Sequence, residues 1–130
     1  MQFYALSVMA GNASVKALGP DGIGVVVSSV VPLPWSQAVP VAKEYQAAMK
    51  RIGLTDYSFV GFESYINAKV LAEAIRRAGK DLTRAKLFTA IENMKQVSLG
   101  GFDVTFGKDV HQGSTYVALM IIGPNGRFTK

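Results

Sequence analysis

The clearest hydrophobic pattern in the chain lies in residues 61–79, where uncharged and charged positions repeat with helical spacing. One face of this stretch is small and aliphatic, consisting of Ala68, Leu71, Ala72, Ile75 and Ala78. The opposite face carries Lys69, Glu73, Arg76 and Arg77. We predict a helix that ends at Gly79, which can take the left-handed conformation of a helix end. Because the uncharged face is mostly alanine, we expect it to lie close against a β-sheet.

Three other stretches have helical patterns. We predict a short helix over residues 13–18 with Asn12 as its N-cap, and a longer helix over residues 38–52 with Ser36 as its cap. The apolar stripe of the longer helix is Val41, Tyr45, Ala48 and Ile52. A further helix follows Thr83, its expected N-cap, with Leu87, Ile91 and Met94 as its stripe.

Strand patterns flank these helices. We predict strands over residues 2–6, 23–31, 102–106 and 115–122, with a turn at residues 123–126 that closes a C-terminal hairpin. Residues 23–31 are continuously apolar at their start, which is typical of a strand buried on both faces of a parallel sheet. The order of elements predicts an α/β fold with some antiparallel edge. Three long helices are expected to cover a sheet with more strands than these. The chain therefore looks like part of a protein with a larger sheet.

A stiff connector separates the second strand from the second helix. Pro32 and Pro34 each fix a backbone angle and hold their neighbours extended. Trp35 follows them, and we expect it to pack at this junction or to line a site.

Composition narrows the function classes. The 130 residues suit one domain, with 49% hydrophobic and 18% charged residues. There is no Cys and one His, so thiolate or His-cluster metal sites are not available. The net charge is +5, but six of the fourteen cations gather around residues 69–86 without interleaved aromatic residues. We therefore expect a solvated helix face, and no nucleic acid partner.

No targeting segment or membrane span is evident in the sequence. The start, MQFYALSV, lacks the basic and apolar regions of a signal peptide, and the longest apolar run is too short to cross a bilayer. Expressed as written, the chain is expected to be cytoplasmic.

Catalytic motifs are also missing from the sequence. It has no glycine-rich phosphate loop and no GxSxG elbow, which leaves His111 as the one candidate for a hydrolase triad. His111 lies in the polar stretch KDVHQGS, where we expect it to hydrogen-bond its own loop. The sequence thus predicts a protein without catalytic residues, metal or cofactor.

Seven segments of the chain follow one another in a specific order. They are FYALSVMAGNASVKALG, GVVVSSVVPLPWS, VPVAKEYQAAMK, SYINAKVLAEAIRRAG, DLTRAKLFTAIENM, LGGFDVTFGKDVHQGS and YVALMIIGPNGRF. Together they resemble the C-terminal portion of the branched-chain-amino-acid-type (leucine/isoleucine/valine-binding-like) solute-binding proteins of ABC importers. The resemblance covers essentially all 130 residues.

This resemblance implies a partial type I periplasmic binding fold, with Rossmann-like lobes, a parallel sheet flanked by helices, and a C-terminal β-hairpin. Residues 1–130 would be a single fragment of a two-lobed receptor, with residues 1–30 and 114–130 in the second lobe. Residues 31–113 would form first-lobe and hinge segments, with Pro32, Pro34 and Trp35 at the hinge. Most of the first lobe would be missing. Family members are periplasmic, trap a small ligand between the lobes, and deliver it to a membrane permease.

The resemblance also places ligand contacts in the loop Ser7, Val8 and Met9, after the first strand. Amino-acid-binding members present a carboxylate to the ligand's ammonium group in this loop, and alignment on residues 11–14 puts Val8 at that position. The apolar loop therefore suits an aromatic or aliphatic carboxylate better than an α-amino acid.

Two other functions are compatible with the sequence. The same two-lobed fold serves as the ligand-sensing effector domain of regulators and receptors, and fold alone does not separate these uses. A small α/β hydrolase using His111 is a third alternative. Since half of the fold would be missing, we also expect exposed sheet edges and a homodimer formed through them.

Overall fold

Four helices and two small β-sheets form the fold of residues 1–129, the part of the chain that the computed structural model describes. The helices are α1 (Asn12–Leu18), α2 (Pro40–Arg51), α3 (Phe59–Ala78) and α4 (Arg84–Glu92). The strands are β1 (Tyr4–Ala5), β2 (Val26–Ser29), β3 (Val97–Ser98), β4 (Asp103–Val104), β5 (Ala118–Ile122) and β6 (Phe128–Thr129). Turns of 3-10 helix over Ser7–Met9 and Gly19–Gly22 flank α1. These elements confirm the predicted α/β class.

The larger sheet has the strand order β1-β2-β5-β6. β1 runs parallel to β2, with Tyr4 opposite Val26, whereas β2 pairs antiparallel with β5, and β5 pairs antiparallel with β6. β5 and β6 form the predicted C-terminal hairpin. In its turn the Gly123 N–H donates to the Arg127 carbonyl at 2.8 Å, and Gly126 has a φ of 67°, which favours glycine.

β2 differs from the strand predicted over residues 23–31. It is shorter, and it is buried on one face only, through Val27 and Ser29. On the other face, Tyr4 and Leu119 are exposed in the neighbouring strands. The expectation that this strand is buried on both faces of a parallel sheet is therefore wrong. The second neighbour of β2 is the antiparallel strand β5, and no element covers the outer face of β2 within residues 1–129.

α2 begins and ends slightly inside its predicted bounds. Val41 and Tyr45 are buried as expected, but Ile52 is exposed because the helix ends at Arg51. Ser36 accepts a hydrogen bond from the Ala38 N–H at 3.2 Å, one turn before the helix, so it orders the approach and does not cap α2.

α3 begins two residues earlier than predicted. The Ser58 hydroxyl accepts from the Gly61 N–H at 3.1 Å and caps the helix, and Gly79 ends it with a φ of 75°, as expected. Its buried face was assigned wrongly. The buried residues are Phe59, Phe62, Ile66 and Ala74. In contrast, Ala68, Leu71, Ala72 and Ile75 are exposed.

The physical reason lies in the aromatic residues of α3. Phe62 packs on Tyr45 of α2 with ring centroids 5.2 Å apart, and Phe59 packs on Phe128 at 5.3 Å. Aromatic side chains bury far more apolar area than alanine, so they decide which face of the helix turns inward when no sheet is present beneath the alanines.

α4 and the β3–β4 ribbon complete the fold of the described residues. Thr83 caps α4 as predicted, with its hydroxyl accepting from the Lys86 N–H at 3.2 Å, and Met94 is fully buried. Phe102 and Val104 are buried while Asp103 is exposed, which confirms the half-exposed alternation predicted there. The pairing of β4 with β3 was not predicted, since β3 has only two residues.

The chain exposes more surface than its mass requires. Its solvent-accessible area is 8407 Å². A compact monomer of 13.9 kDa is expected to expose roughly 6,700 Å². Large apolar side chains are exposed on the outer face of the larger sheet, at Tyr4 and Leu119, and along the alanine face of α3, at Leu71 and Ile75.

Candidate functional site

The three predicted ligand residues form one turn at the carboxyl end of β1. The Met9 N–H donates to the Leu6 carbonyl at 2.9 Å, and the Ala10 N–H donates to the Ser7 carbonyl at 3.0 Å. Ala10 is fully buried and anchors the turn, while Val8 is 78% exposed. The structure therefore brings Ser7, Val8 and Met9 together on an accessible turn, and their role in ligand binding stays a prediction.

Asn12 ties this region to the segment before α3. Its side-chain amide donates to Asp56 Oδ1 at 2.8 Å and to the Tyr57 carbonyl at 3.4 Å. Asn12 is thus the first residue of α1 and not its N-cap, a place taken by Gly11 without a side-chain bond. The amide is used across 44 residues of sequence, so a local capping rule could not predict its partner.

The predicted hinge residues form a tightly packed connector. Pro32 and Pro34 are buried, and Trp35 packs edge-on against Phe59 with ring centroids 5.4 Å apart. Phe59 in turn contacts Phe128 of β6 at 5.3 Å, with the rings nearly perpendicular. Trp35, Phe59 and Phe128 therefore form a continuous aromatic row from the connector to the C-terminal hairpin, which we call the aromatic row. The hinge role of the connector stays a prediction.

Gln46, which the sequence did not single out, hydrogen-bonds the backbone of this connector. Gln46 of α2 is buried, and its amide nitrogen donates to the carbonyls of Pro34 at 3.0 Å and Ser36 at 3.2 Å. The signal in the sequence was a glutamine directly beside the buried stripe position Tyr45. A buried side-chain amide needs hydrogen-bond partners, so a glutamine at this position indicates a nearby backbone segment with unpaired carbonyl groups.

His111 occupies the polar loop, as expected. Its Nε2 lies 3.1 Å from the Lys108 carbonyl, and the ring is exposed. Within residues 1–129 it makes no hydrogen bond to a serine or carboxylate side chain, so no triad of the predicted type is assembled around it. The described residues also hold no group of three or more His, Asp or Glu placed to bind a metal ion.

Three of the six clustered cations pair with carboxylates. Lys69 pairs with Glu44, while Arg76 and Arg77 both pair with Glu73 at 2.7 Å. The hydrogen bonds from Arg76 and Arg77 lower the pKa of the Glu73 carboxyl to about 2. An open groove runs beside these pairs and the segment 96–100, away from the Ser7–Met9 turn. Its charges are largely neutralised, which agrees with the solvated helix face expected here.

No helix in the part of the chain that the structure describes has the length and apolar character needed to cross a membrane.

Comparison with known families gives one match that spans nearly the whole chain. A family model described as "Periplasmic binding protein" matches residues 1–127. Among curated proteins, none matches significantly.

Several solved structures share the fold. A "possible leucine/isoleucine/valine-binding protein" from Rhodopirellula baltica SH 1 is 30% identical, with a TM-score of 0.90 over 99% of this chain and 36% of its own. A substrate-binding periplasmic protein from Ralstonia solanacearum is 35% identical, with a TM-score of 0.85 over 96% of this chain and 36% of its own. A branched-chain amino acid ABC transporter protein from Thermus thermophilus, solved with bound valine, is 18% identical, with a TM-score of 0.80 over 99% of this chain and 37% of its own. The chain thus spans about a third of the length of the structures it matches.

Proposed function

Because this chain belongs to the periplasmic binding protein family, we propose that it recognises a small solute, an amino acid or a related small carboxylate, for an ABC-type importer without transforming it chemically. The observation that carries the proposal is the accessible turn over Ser7–Met9 at the carboxyl end of β1. Ligands of open α/β sheets bind outside the carboxyl ends of strands. The importer's membrane permease is the expected partner, and the periplasm the expected location.

The similar structures support this class of ligand. Two of them carry leucine/isoleucine/valine-binding or branched-chain amino acid descriptions, and one holds valine. The loop around His111 assembles no catalytic constellation in residues 1–129, and this favours recognition over hydrolysis.

The arrangement of elements supports a division into two lobes. All four strands of the larger sheet, and α1, lie within residues 1–30 and 114–130, which we assign to one lobe. The helices α2, α3 and α4 and the β3–β4 ribbon lie within residues 31–113, which we assign to the other lobe and the hinge. Pro32, Pro34 and Trp35 stand where the chain passes from the first group to the second.

We further propose that this chain supplies only part of a ligand cleft, with most of the first lobe outside it. Two observations support this. The chain spans 36% of the similar protein from Rhodopirellula baltica, and it leaves the alanine face of α3 uncovered. A partial cleft is expected to bind its ligand weakly, so binding must be measured by a method that detects millimolar affinity.

The Val8 side chain is expected to set the ligand preference. A ligand ammonium group placed against valine loses its hydration without gaining a carboxylate partner. We therefore expect 4-methylpentanoate and 3-phenylpropanoate to bind about tenfold or more tightly than leucine and phenylalanine, which differ from them by the ammonium group. Titrations followed by the NMR amide signals of Ser7, Val8 and Met9 measure both affinity and location.

A Val8→Asp substitution is expected to reverse this preference in favour of the amino acids. Val117→Asp is a matched control, because Val117 is also exposed but lies next to β5. It should leave the preference unchanged. If none of the four compounds shifts the amide signals of Ser7–Met9 at millimolar concentration, solute recognition by this turn is contradicted.

The isolated chain is also proposed to form a homodimer through the free edge of its larger sheet. β1 is an edge strand, so its outer backbone groups have no strand partner within residues 1–129. Phe3, Tyr4 and Leu6 are exposed along it. The excess accessible surface of roughly 1,700 Å² per chain is ample for a standard interface, which takes about 800 Å² from each partner. Two copies of β1 can pair edge to edge around a two-fold axis.

Sedimentation velocity tests this self-association. A dimer is expected at tens of micromolar protein, and Tyr4→Lys is expected to give a monomer, because an edge lysine opposes strand pairing. Ile52→Lys is the matched control, since Ile52 is 69% exposed, against 73% for Tyr4, but lies at the end of α2. A clean monomer for the unmodified chain, or equal effects of the two substitutions, overturns the edge-to-edge dimer.

A further inference from the structure

Two polar side chains are buried in residues 1–129, and both bond the backbone of the connector. They are Ser29, which is 1% exposed, and Gln46, which is 8% exposed. A buried polar group is stable only when it is hydrogen-bonded, and removing one partner of a buried hydrogen bond leaves the other partner unsatisfied. Both buried polar groups hydrogen-bond the same short segment. We infer that they determine the conformation of the connector.

Ser29 holds the start of the connector, at the end of β2. Its hydroxyl donates to the Val31 carbonyl at 2.7 Å and accepts from the Val31 N–H at 3.3 Å. The chain is therefore fixed in the first two residues after the strand. Val31 is itself buried, so this end of the connector belongs to the sheet.

Gln46 holds the far end of the connector and fixes it to α2. Its Nε2 donates to the carbonyls of Pro34 and Ser36, and its Oε1 accepts from Gln37 Nε2 at 2.8 Å. Every hydrogen-bonding atom of the Gln46 amide is thus used within four residues of connector. The turn is closed by the Ser36 N–H, which donates to the Leu33 carbonyl at 3.0 Å.

Between these two fixed ends lie Pro32 and Leu33. No side chain of the described residues hydrogen-bonds their backbone, and the ring of Pro32 locks its own φ. The backbone torsions that no hydrogen bond fixes are those on either side of the peptide bond that joins Pro32 to Leu33. Any bend of the connector that keeps the bonds of Ser29 and Gln46 must occur there.

We propose that Ser29 and Gln46 are positioning residues that confine bending of this connector to Pro32 and Leu33, with residues 34–37 moving as one body with α2. The connector is one of two places where the chain passes between the two parts of the molecule, the other being near residues 113–114. The inference rests on the two-lobe function proposed above, and it gives that function a defined pivot. A confined pivot limits the lobes to a narrow range of orientations, which preserves the geometry of a cleft between them and lowers the entropy lost when the cleft closes.

The distribution of distances between the two parts tests the proposal. The chain has no Cys, so Lys16→Cys in α1 and Lys43→Cys in α2, both exposed, give two specific spin-label sites. Gln46→Met keeps the side-chain volume but removes three hydrogen bonds, and we expect about a twofold broadening of the distance distribution. Lys50→Met is the control and should leave the distribution unchanged. It places the same side chain one turn further along α2, at an exposed position.

The location of the motion is tested with the single tryptophan. Trp35 lies in the connector and is the only Trp of the chain, so acrylamide quenching of its fluorescence reports on this segment alone. Quenching is expected to rise about twofold in Gln46→Met and to stay constant in Lys50→Met, because three bonds to the segment are lost in the first only. A distribution that stays narrow in Gln46→Met, or that broadens without increased quenching, overturns the proposal.

A second variant keeps the test decisive if Gln46→Met does not fold. Gln37→Ala removes one of the three bonds from the exposed side of the connector and should broaden the distribution in the same direction by a smaller amount. An unchanged distribution in that variant equally overturns the proposal. Both measurements are made without ligand, so a failure of solute binding at Ser7–Met9 does not affect them, and their failure leaves solute binding standing.

Discussion

Replacing Phe59 with alanine is expected to lower the free energy of unfolding by about 3–5 kcal/mol. Phe59 is buried, and its ring is the middle member of the aromatic row, in contact with Trp35 and Phe128. Its removal leaves a cavity that neither neighbour can fill without leaving its own packing. Urea unfolding followed by far-UV circular dichroism measures the loss, and the emission of Trp35 should shift to longer wavelength as the residue becomes wetter.

Phe88→Ala is the matched control for this substitution. Phe88 lies on α4 and is 52% exposed, with the Arg84 guanidinium 5.5 Å from its ring centre. Its loss is expected to cost less than about 1 kcal/mol. If Phe59→Ala leaves too little folded protein to measure, Phe59→Leu should give roughly half the loss, because most of the buried volume remains. Equal effects at positions 59 and 88 would show that the aromatic row does not stabilise the fold.

Replacing Ala74 with leucine is expected to destabilise the chain by about 1–3 kcal/mol, because the larger side chain does not fit the packed face of α3. Ala74 is fully buried. The same substitution at Ala72, two residues earlier and on the exposed alanine face, is expected to change stability by less than about 0.5 kcal/mol. Both changes replace alanine by leucine within one helix, so helix propensity cancels between them and the difference reports burial.

Thermal and urea unfolding at several protein concentrations complete this test. A loss of about 1 kcal/mol or more for Ala72→Leu would contradict an uncovered alanine face in solution. If that loss appeared only at high protein concentration, it would place a second copy of the chain on this face and not at the edge of β1.

Local rules were sufficient where a residue acts on its own neighbours. Thr83 caps α4 and Gly79 ends α3 as predicted, because a cap depends on backbone groups within one turn of the residue. The alternation around Asp103 and the hairpin turn ending at Gly126 depend on equally short ranges of sequence. The candidate ligand turn, Ser7–Met9, was placed by resemblance, and the structure adds its exposure and its position at the end of β1.

The same local rules failed where a side chain has a distant partner. Asn12 was predicted to cap α1, but its amide bonds Asp56 and Tyr57 instead. Gln46 carries no motif, yet it bonds carbonyls ten and twelve residues away and orders the connector. Both residues are polar at positions where several partners are geometrically available, and only the packing of the chain selects among them.

The sequence by itself determined the α/β class, most helix ends, the family and the helical repeat of residues 61–79. The repeat showed which residues of α3 share a face, since that follows from 3.6 residues per turn alone. Only the tertiary structure decided which face is covered. Phe59 and Phe62 pack on aromatic partners and are buried, while the alanine face, which has no sheet beneath it within residues 1–129, faces solvent. Burial depends on what lies opposite, and periodicity carries no information about the partner.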